Sequence, residues 1–177
     1  MDRTRFPHGS AEEIAGWFAG RLPEGWFEGA PEVSADRDEI LVIGTLAEPD
    51  LPEDAADDAR GAARLARIDG FREDTRERRM QIAQEAQHRF GRRVSWGARC
   101  GEAGKLFTTV SVPAMTRLRM DERRVLDTLV EGGVARSRSH ALAWCVRLVA
   151  QRQEEWLADL REALGQVERV RDEGPTS

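Results

Sequence analysis

Arg117 and Arg119 stand two residues apart in the stretch Met115-Thr116-Arg117-Leu118-Arg119-Met120. In a strand, successive side chains face opposite ways. Met115, Arg117 and Arg119 then share one face, and Thr116, Leu118 and Met120 the other. Leu118 and Met120 suit a core. Two guanidinium groups do not, so they should face solvent or a ligand. Guanidinium is permanently charged and presents planar, paired N–H donors. Its chemistry here is recognition and not bond making. A second polar group follows at Arg136-Ser137-Arg138-Ser139, just before an apolar run. The residues that usually carry catalysis form no comparable group. His8, His88 and His140 are scattered, with no metal-ligand spacing to a cysteine or to each other. His140 and Cys145 lie five apart on one helical run and do not share a face. No P-loop, G-x-G-x-x-G or G-x-S-x-G pattern occurs. The sequence therefore predicts no enzyme, no catalytic residues, no cofactor and no metal.

The elements that must position these arginines follow from the same segment. A short strand over Met115–Met120 leads into a helix from Asp121 to Glu131, with Asp121 as its cap and Glu122 in its first turn. Val125, Leu126, Leu129 and Val130 make one apolar face. Gly132 and Gly133 end the helix. Ser137 is the N-cap of a second helix, with His140 where a capping box prefers Glu or Gln. That helix carries Leu142, Trp144, Cys145, Val146, Leu148 and Val149, apolar nearly all round, so burial on several sides is expected. A unit of ~35 residues cannot bury so much alone.

Strand, helix, glycine turn and apolar helix in this order resemble the ribbon-helix-helix family of DNA-binding proteins. The resemblance covers residues 115–150. It implies a homodimer, with further copies able to add on DNA, in which two strands pair as an antiparallel ribbon that enters the major groove of double-stranded DNA. It makes Met115, Arg117 and Arg119 the base readers, arginine being suited to guanine O6 and N7. It also makes Arg136, Ser137, Arg138 and Ser139 the phosphate-binding group, at the start of the second helix. A cytoplasmic transcriptional regulator of the bacterial repressor type is the leading expectation. An antitoxin of a toxin–antitoxin pair is one alternative, and a dimeric scaffold without DNA binding is the other.

Composition bounds the rest. The chain has 177 residues, 40% hydrophobic and 33% charged, with a net charge of −5. That balance argues against a generic nucleic-acid coat. The charge is uneven: residues 1–104 sum to −6, residues 105–150 to +4 and residues 151–177 to −3. A focused basic patch on an acidic body favours a specific contact. No apolar run approaches the length of a membrane span, and Cys100 and Cys145 read as reduced thiols.

The expected class is α+β. Residues 1–112 form an N-terminal ββαββ-like domain, and residues 113–171 the ribbon-helix-helix module with a helical extension. A short helix over 10–20 is capped by Ser10. One hairpin spans 32–48, turning at Asp36-Arg37-Asp38. One long helix runs from Ala62 to Phe90, with a dense charge block over 72–79 between its apolar positions. The second hairpin pairs Arg93–Arg99 with Lys105–Val112. Most charge blocks are solvated helix surface; a second nucleic-acid contact at Arg76, Arg78 and Arg79 is the sharper reading. Trp17, Phe18, Trp26 and Phe27 need burial, or else form a docking surface for a protein partner. The second helix continues to about Val170, with Leu157, Leu160, Leu164 and Val167 packing on the N-terminal domain or a partner chain. Residues 1–9 should be frayed and 172–177 disordered.

Overall fold

The structure, a computed structural model, describes residues 9–52 and 54–174. The start expected to be frayed and the tail expected to be disordered thus fall mostly outside the described residues, although Asp172 and Glu173 belong to a helix. The chain is α+β, with a four-stranded mixed sheet and six helices among the described residues. It divides into two units, Met1–Pro113 and Ala114–Ser177.

In the first unit, the Ser10 hydroxyl accepts the Glu13 N–H at 3.2 Å and opens α1 (Ala11–Arg21). β1 (Glu32–Ala35) and β2 (Glu39–Thr45) form the expected hairpin. Asp36 Oδ1 accepts the N–H groups of Asp38 and Glu39, both at 2.8 Å, and so makes the turn. The crossover contains α2 (Asp57–Asp74) and α3 (Arg76–Phe90), and leads to β3 (Arg93–Cys100) and β4 (Ala103–Leu106). The strand order is β1-β2-β3-β4, with the central β2–β3 pair parallel and the outer pairs antiparallel. A parallel pair needs a long crossover, which the helices supply.

Register decides which side chains meet the helices. Ile40 pairs with Val94 and Val42 with Trp96, so these residues share one sheet face. Ile14 and Phe18 of α1 and Ile82, Ala86 and Phe90 of α3 cover that face. A second cluster joins Ile68 of α2 to Leu46, Ala98 and Cys100. Trp26 bridges the clusters, edge-on to Trp96 at 6.4 Å and to Phe71 at 5.5 Å. Phe27 lies over Gly44, where any Cβ would overlap its ring. The aromatic residues offered as a docking surface are therefore engaged in this unit's own packing.

The single long helix is broken at Thr75. Its hydroxyl donates to Phe71 O at 2.5 Å and accepts from Arg79 Nε at 3.0 Å. Arg79 Nη2 donates to Arg72 O at 2.6 Å. A cation thus satisfies a carbonyl left open at the end of α2, which a helix C-terminus favours. The break also separates Asp74 from Arg78, which bonds Gln81 instead. The second arm of the later hairpin stops at Leu106, short of the expected Val112. Beyond it the Phe107 N–H still bonds Trp96 O, and the Thr108 hydroxyl accepts the Trp96 N–H. The Val110 N–H then goes to the Glu39 carboxylate.

In the second unit, α4 (Met120–Glu131), α5 (Arg138–Arg152) and α6 (Glu154–Glu173) follow one another. Residues 115–119 form no strand; Arg119 is extended at the N-cap, and Met120 opens α4. The expected strand over Met115–Met120 is thus absent: the segment joins no ladder of the sheet, and a strand needs a paired neighbour for its backbone groups. Asp121 is not the cap. Glu122 Oε2 accepts the Arg119 N–H at 2.6 Å and starts the helix from Arg119. The expected continuous second helix is interrupted at Gln153, between α5 and α6.

Candidate nucleic-acid interface

The α4–α5 corner is built by local capping. Gly133 takes a left-handed φ of 75°, and the N–H groups of Val134 and Ala135 both reach Leu129 O at 3.0 Å. Ser137 Oγ accepts the His140 N–H at 3.2 Å, as an N-cap does. His140 Nδ1 accepts the Arg136 N–H at 3.3 Å. The imidazole thus fills a return role close to that of Glu in a capping box, one residue further out.

Arg138 is the main departure from the expected phosphate group. Its Nε and Nη2 donate to both Asp127 oxygens, at 2.6 and 2.7 Å. This fork ties the first turn of α5 to α4. The Arg138 guanidinium holds the Asp127 carboxyl below its ordinary range, and Arg138 is raised in turn. A depressed acid contributes stability above its unfolded pKa and loses it as pH falls through the folded value. The clamp is therefore intact at neutral pH. Arg138 offers a ligand its backbone N–H, while its side chain is committed to Asp127. Among the described residues no acceptor meets the N–H groups of Arg138 or Ser139, and Arg136, Ser137 and Ser139 are exposed.

The three expected base readers are all exposed. Met115 is 98% exposed, and Arg117 and Arg119 form no ion pair among the described residues. Leu118, between the arginines, turns inward against Leu126, Ala135 and Ala141. Met120 does not join it and is 57% exposed. Arg123 Nη1 holds Leu118 O at 2.7 Å and so fixes the segment just before the helix. Arg117 and Arg119 therefore flank an anchored residue and point away from the small core.

That core is small. Among the described residues, only Leu126, Ala135 and Ala141 are buried apolar residues in this unit. Of α5, expected to be buried on several sides, only Ala141 is buried. Val125, Val134, Val146 and Val149 lie exposed. On α6, Trp156, Leu160, Leu164, Val167 and Val170 are all exposed. At 3.6 residues per turn they span about 120° of one helix surface.

Two family models match the chain. Residues 12–106 match the N-terminal domain of the Rv1265-like protein, and residues 119–171 match the Mb1296 C-terminal domain. Over 165 residues the chain is 55% identical to the uncharacterized protein Rv1265 of Mycobacterium tuberculosis, covering 93% of this chain and 71% of the relative. This chain belongs to the Rv1265-like family. The uncharacterized protein Mb1296 of Mycobacterium bovis is similar to the same extent. Neither family description names a ribbon-helix-helix fold, and the C-terminal match begins at Arg119, after Met115 and Arg117. No solved structure matches the chain significantly.

Other chemistry is sparse in this Rv1265-like chain. Both cysteines are free thiols, and burial pushes the Cys100 thiol up, away from the reactive thiolate. Among the described residues no group of three or more His, Cys, Asp or Glu is placed to hold a metal ion. No helix among them is long and apolar enough to cross a membrane.

Proposed function

We propose that residues 114–177 form a dimerisation and DNA-binding module of the ribbon-helix-helix kind, in a transcriptional regulator. The observation that carries this reading is the mismatch between few buried and many exposed apolar side chains in that unit. A second copy would cover α5 and α6 and give residues 115–119 a strand to pair with. Two further features support it. Arg117 and Arg119 flank the inward Leu118 and are free of ion pairs among the described residues. The first turn of α5 presents open N–H groups beside the exposed Arg136, where a phosphate would meet the positive end of the helix dipole.

In the dimer, the ribbon would place Met115, Arg117 and Arg119 from each chain in the major groove. Arginine forks would read guanine edges, and the α5 starts would fix register on the backbone. The Arg138–Asp127 clamp would hold α5 at the right angle and take no part in readout.

The test begins with selection of bound sequences from random duplexes by the full chain. Fluorescence anisotropy then compares wild type with Arg117→Ala and Arg119→Ala on a selected and a scrambled duplex. Each variant should lose ~1–3 kcal/mol per base contact on the selected duplex only. Arg136→Ala should weaken both duplexes about equally and lower the salt slope by ~1. Wild-type affinity in both strand variants would transfer the role of this unit to a dimeric scaffold.

A further inference from the structure

The first unit holds a cleft of about 500 Å³ that the DNA-binding reading does not use. It lies at the α2–α3 break, beside the chain that follows β4. Arg72, Glu73, Arg76, Arg79, Phe107 and Thr108 line it. Arg79 is only 6% exposed, although guanidinium is always charged. A buried charge normally has a counter-ion, because leaving water is costly. Arg79 has none: it forms no ion pair among the described residues, and its bonds go to Arg72 O and the Thr75 hydroxyl. Its guanidinium carbon lies over the Phe107 ring, 4.9 Å from the centroid. Nη1 donates to no acceptor among the described residues and is not sealed from solvent.

The surroundings intensify the charge. Arg72 and Arg76 are exposed at the rim, and neither side chain has a partner among the described residues. Glu73 is the one carboxylate in the lining, so three cations face one anion. Burial and the two neighbouring arginines push Arg79 down from its usual value, with Glu73 opposing. Thr108 Oγ1 already accepts the Trp96 N–H, which leaves its own proton to donate.

We propose that this cleft binds the phosphate group of a small ligand, with Arg79 as the buried anchor and Arg72 and Arg76 as the outer clamp. A net excess of two positive charges matches a phosphate dianion. Guanidinium N–H edges match its oxygen pairs, and the Phe107 ring supports the anchor from below. The volume is in the range of small-molecule sites. The site belongs to the first unit and does not depend on what the second unit binds.

The test is calorimetric titration of the full chain with inorganic phosphate, AMP and adenosine at matched ionic strength. Phosphate or AMP should bind saturably, and adenosine should not. Tighter AMP assigns a phosphate ester, and tighter phosphate the free ion. Arg72→Gln and Arg76→Gln are rim substitutions that should leave the ligand-free melting temperature unchanged. Each should weaken binding ~10-fold or more, the loss expected for one charge-assisted contact. Arg79→Lys keeps the charge but not the fork, and should weaken binding further. No saturable binding of either phosphate probe, or unchanged affinity in both rim variants, would overturn the proposal. So would loss of duplex DNA binding in the rim variants without any binding of the small probes, which would make the arginines a backbone contact.

Discussion

Among the described residues, twelve apolar side chains are buried in Met1–Pro113 and three in Ala114–Ser177. The first unit closes on itself: a sheet face is roofed by α1, α2 and α3, and aromatic rings fill the seams. The second is three helices with a minimal core and an apolar outer surface. The first unit carries the whole sheet, and the second carries helices alone among the described residues. The difference lies in where the apolar surface can go. A sheet with helices on one face has a partner for each strand and a cover for that face. Three helices of this size, with no sheet to pack on, leave the apolar sides of α5 and α6 uncovered. The first unit should therefore be stable as a single chain, and the second should draw its stability from association.

Substitutions in the two units should then fail in different ways. The largest effect is expected at Phe18, fully buried between Trp17 and Trp96. Phe18→Ala should cost ~3–5 kcal/mol, by lost transfer energy and an unfilled cavity. Urea unfolding followed by tryptophan fluorescence would show it, and the loss should not vary with protein concentration. Val146→Asp comes next. At a 64% exposed site of a monomer it would change stability by about 0.5 kcal/mol or less. At a dimer seam it should cost ~2 kcal/mol or more and abolish the dependence of the second unit's melting on concentration. A neutral Val146→Asp would remove the contrast between the units.

Gly44→Ala returns to the first unit. The new methyl overlaps the Phe27 ring, which Trp26 and Phe71 restrain. Overpacking of this kind should cost ~1–3 kcal/mol, measured by the same urea titration. A Gly44→Ala variant as stable as wild type would mean that Phe27 is free to leave its site. The smallest effect is expected at Ser137, where Ser137→Ala removes only the α5 cap, at ~1 kcal/mol. Circular dichroism melts should show a small shift in the second unit alone.

Much of this contrast was legible in the residue pattern, and the missing parts have physical causes. The first hairpin could be read because Asp36 carries its turn within four residues and β2 is a continuous apolar run. The Ser10 and Ser137 caps were legible for the same reason, since capping is local. The break at Thr75 was not. It depends on Arg79 folding back to Arg72 O, inside a charge block that reads as solvated surface. The buried anchor of the proposed phosphate site was hidden in the same way. The Asp127–Arg138 clamp joins residues eleven apart on different helices, which no helical spacing connects. Alternation around Leu118 identified an inward residue between two outward arginines, but pairing of that segment needs a second backbone.

Sedimentation equilibrium of the full chain at micromolar concentration tests the central claim most directly, because it asks whether the second unit completes itself with another copy. A dimer of twice the 19.9 kDa chain mass is expected, dissociating on dilution together with loss of helical signal from the second unit. A single-chain species with its helicity intact across that range would contradict the account.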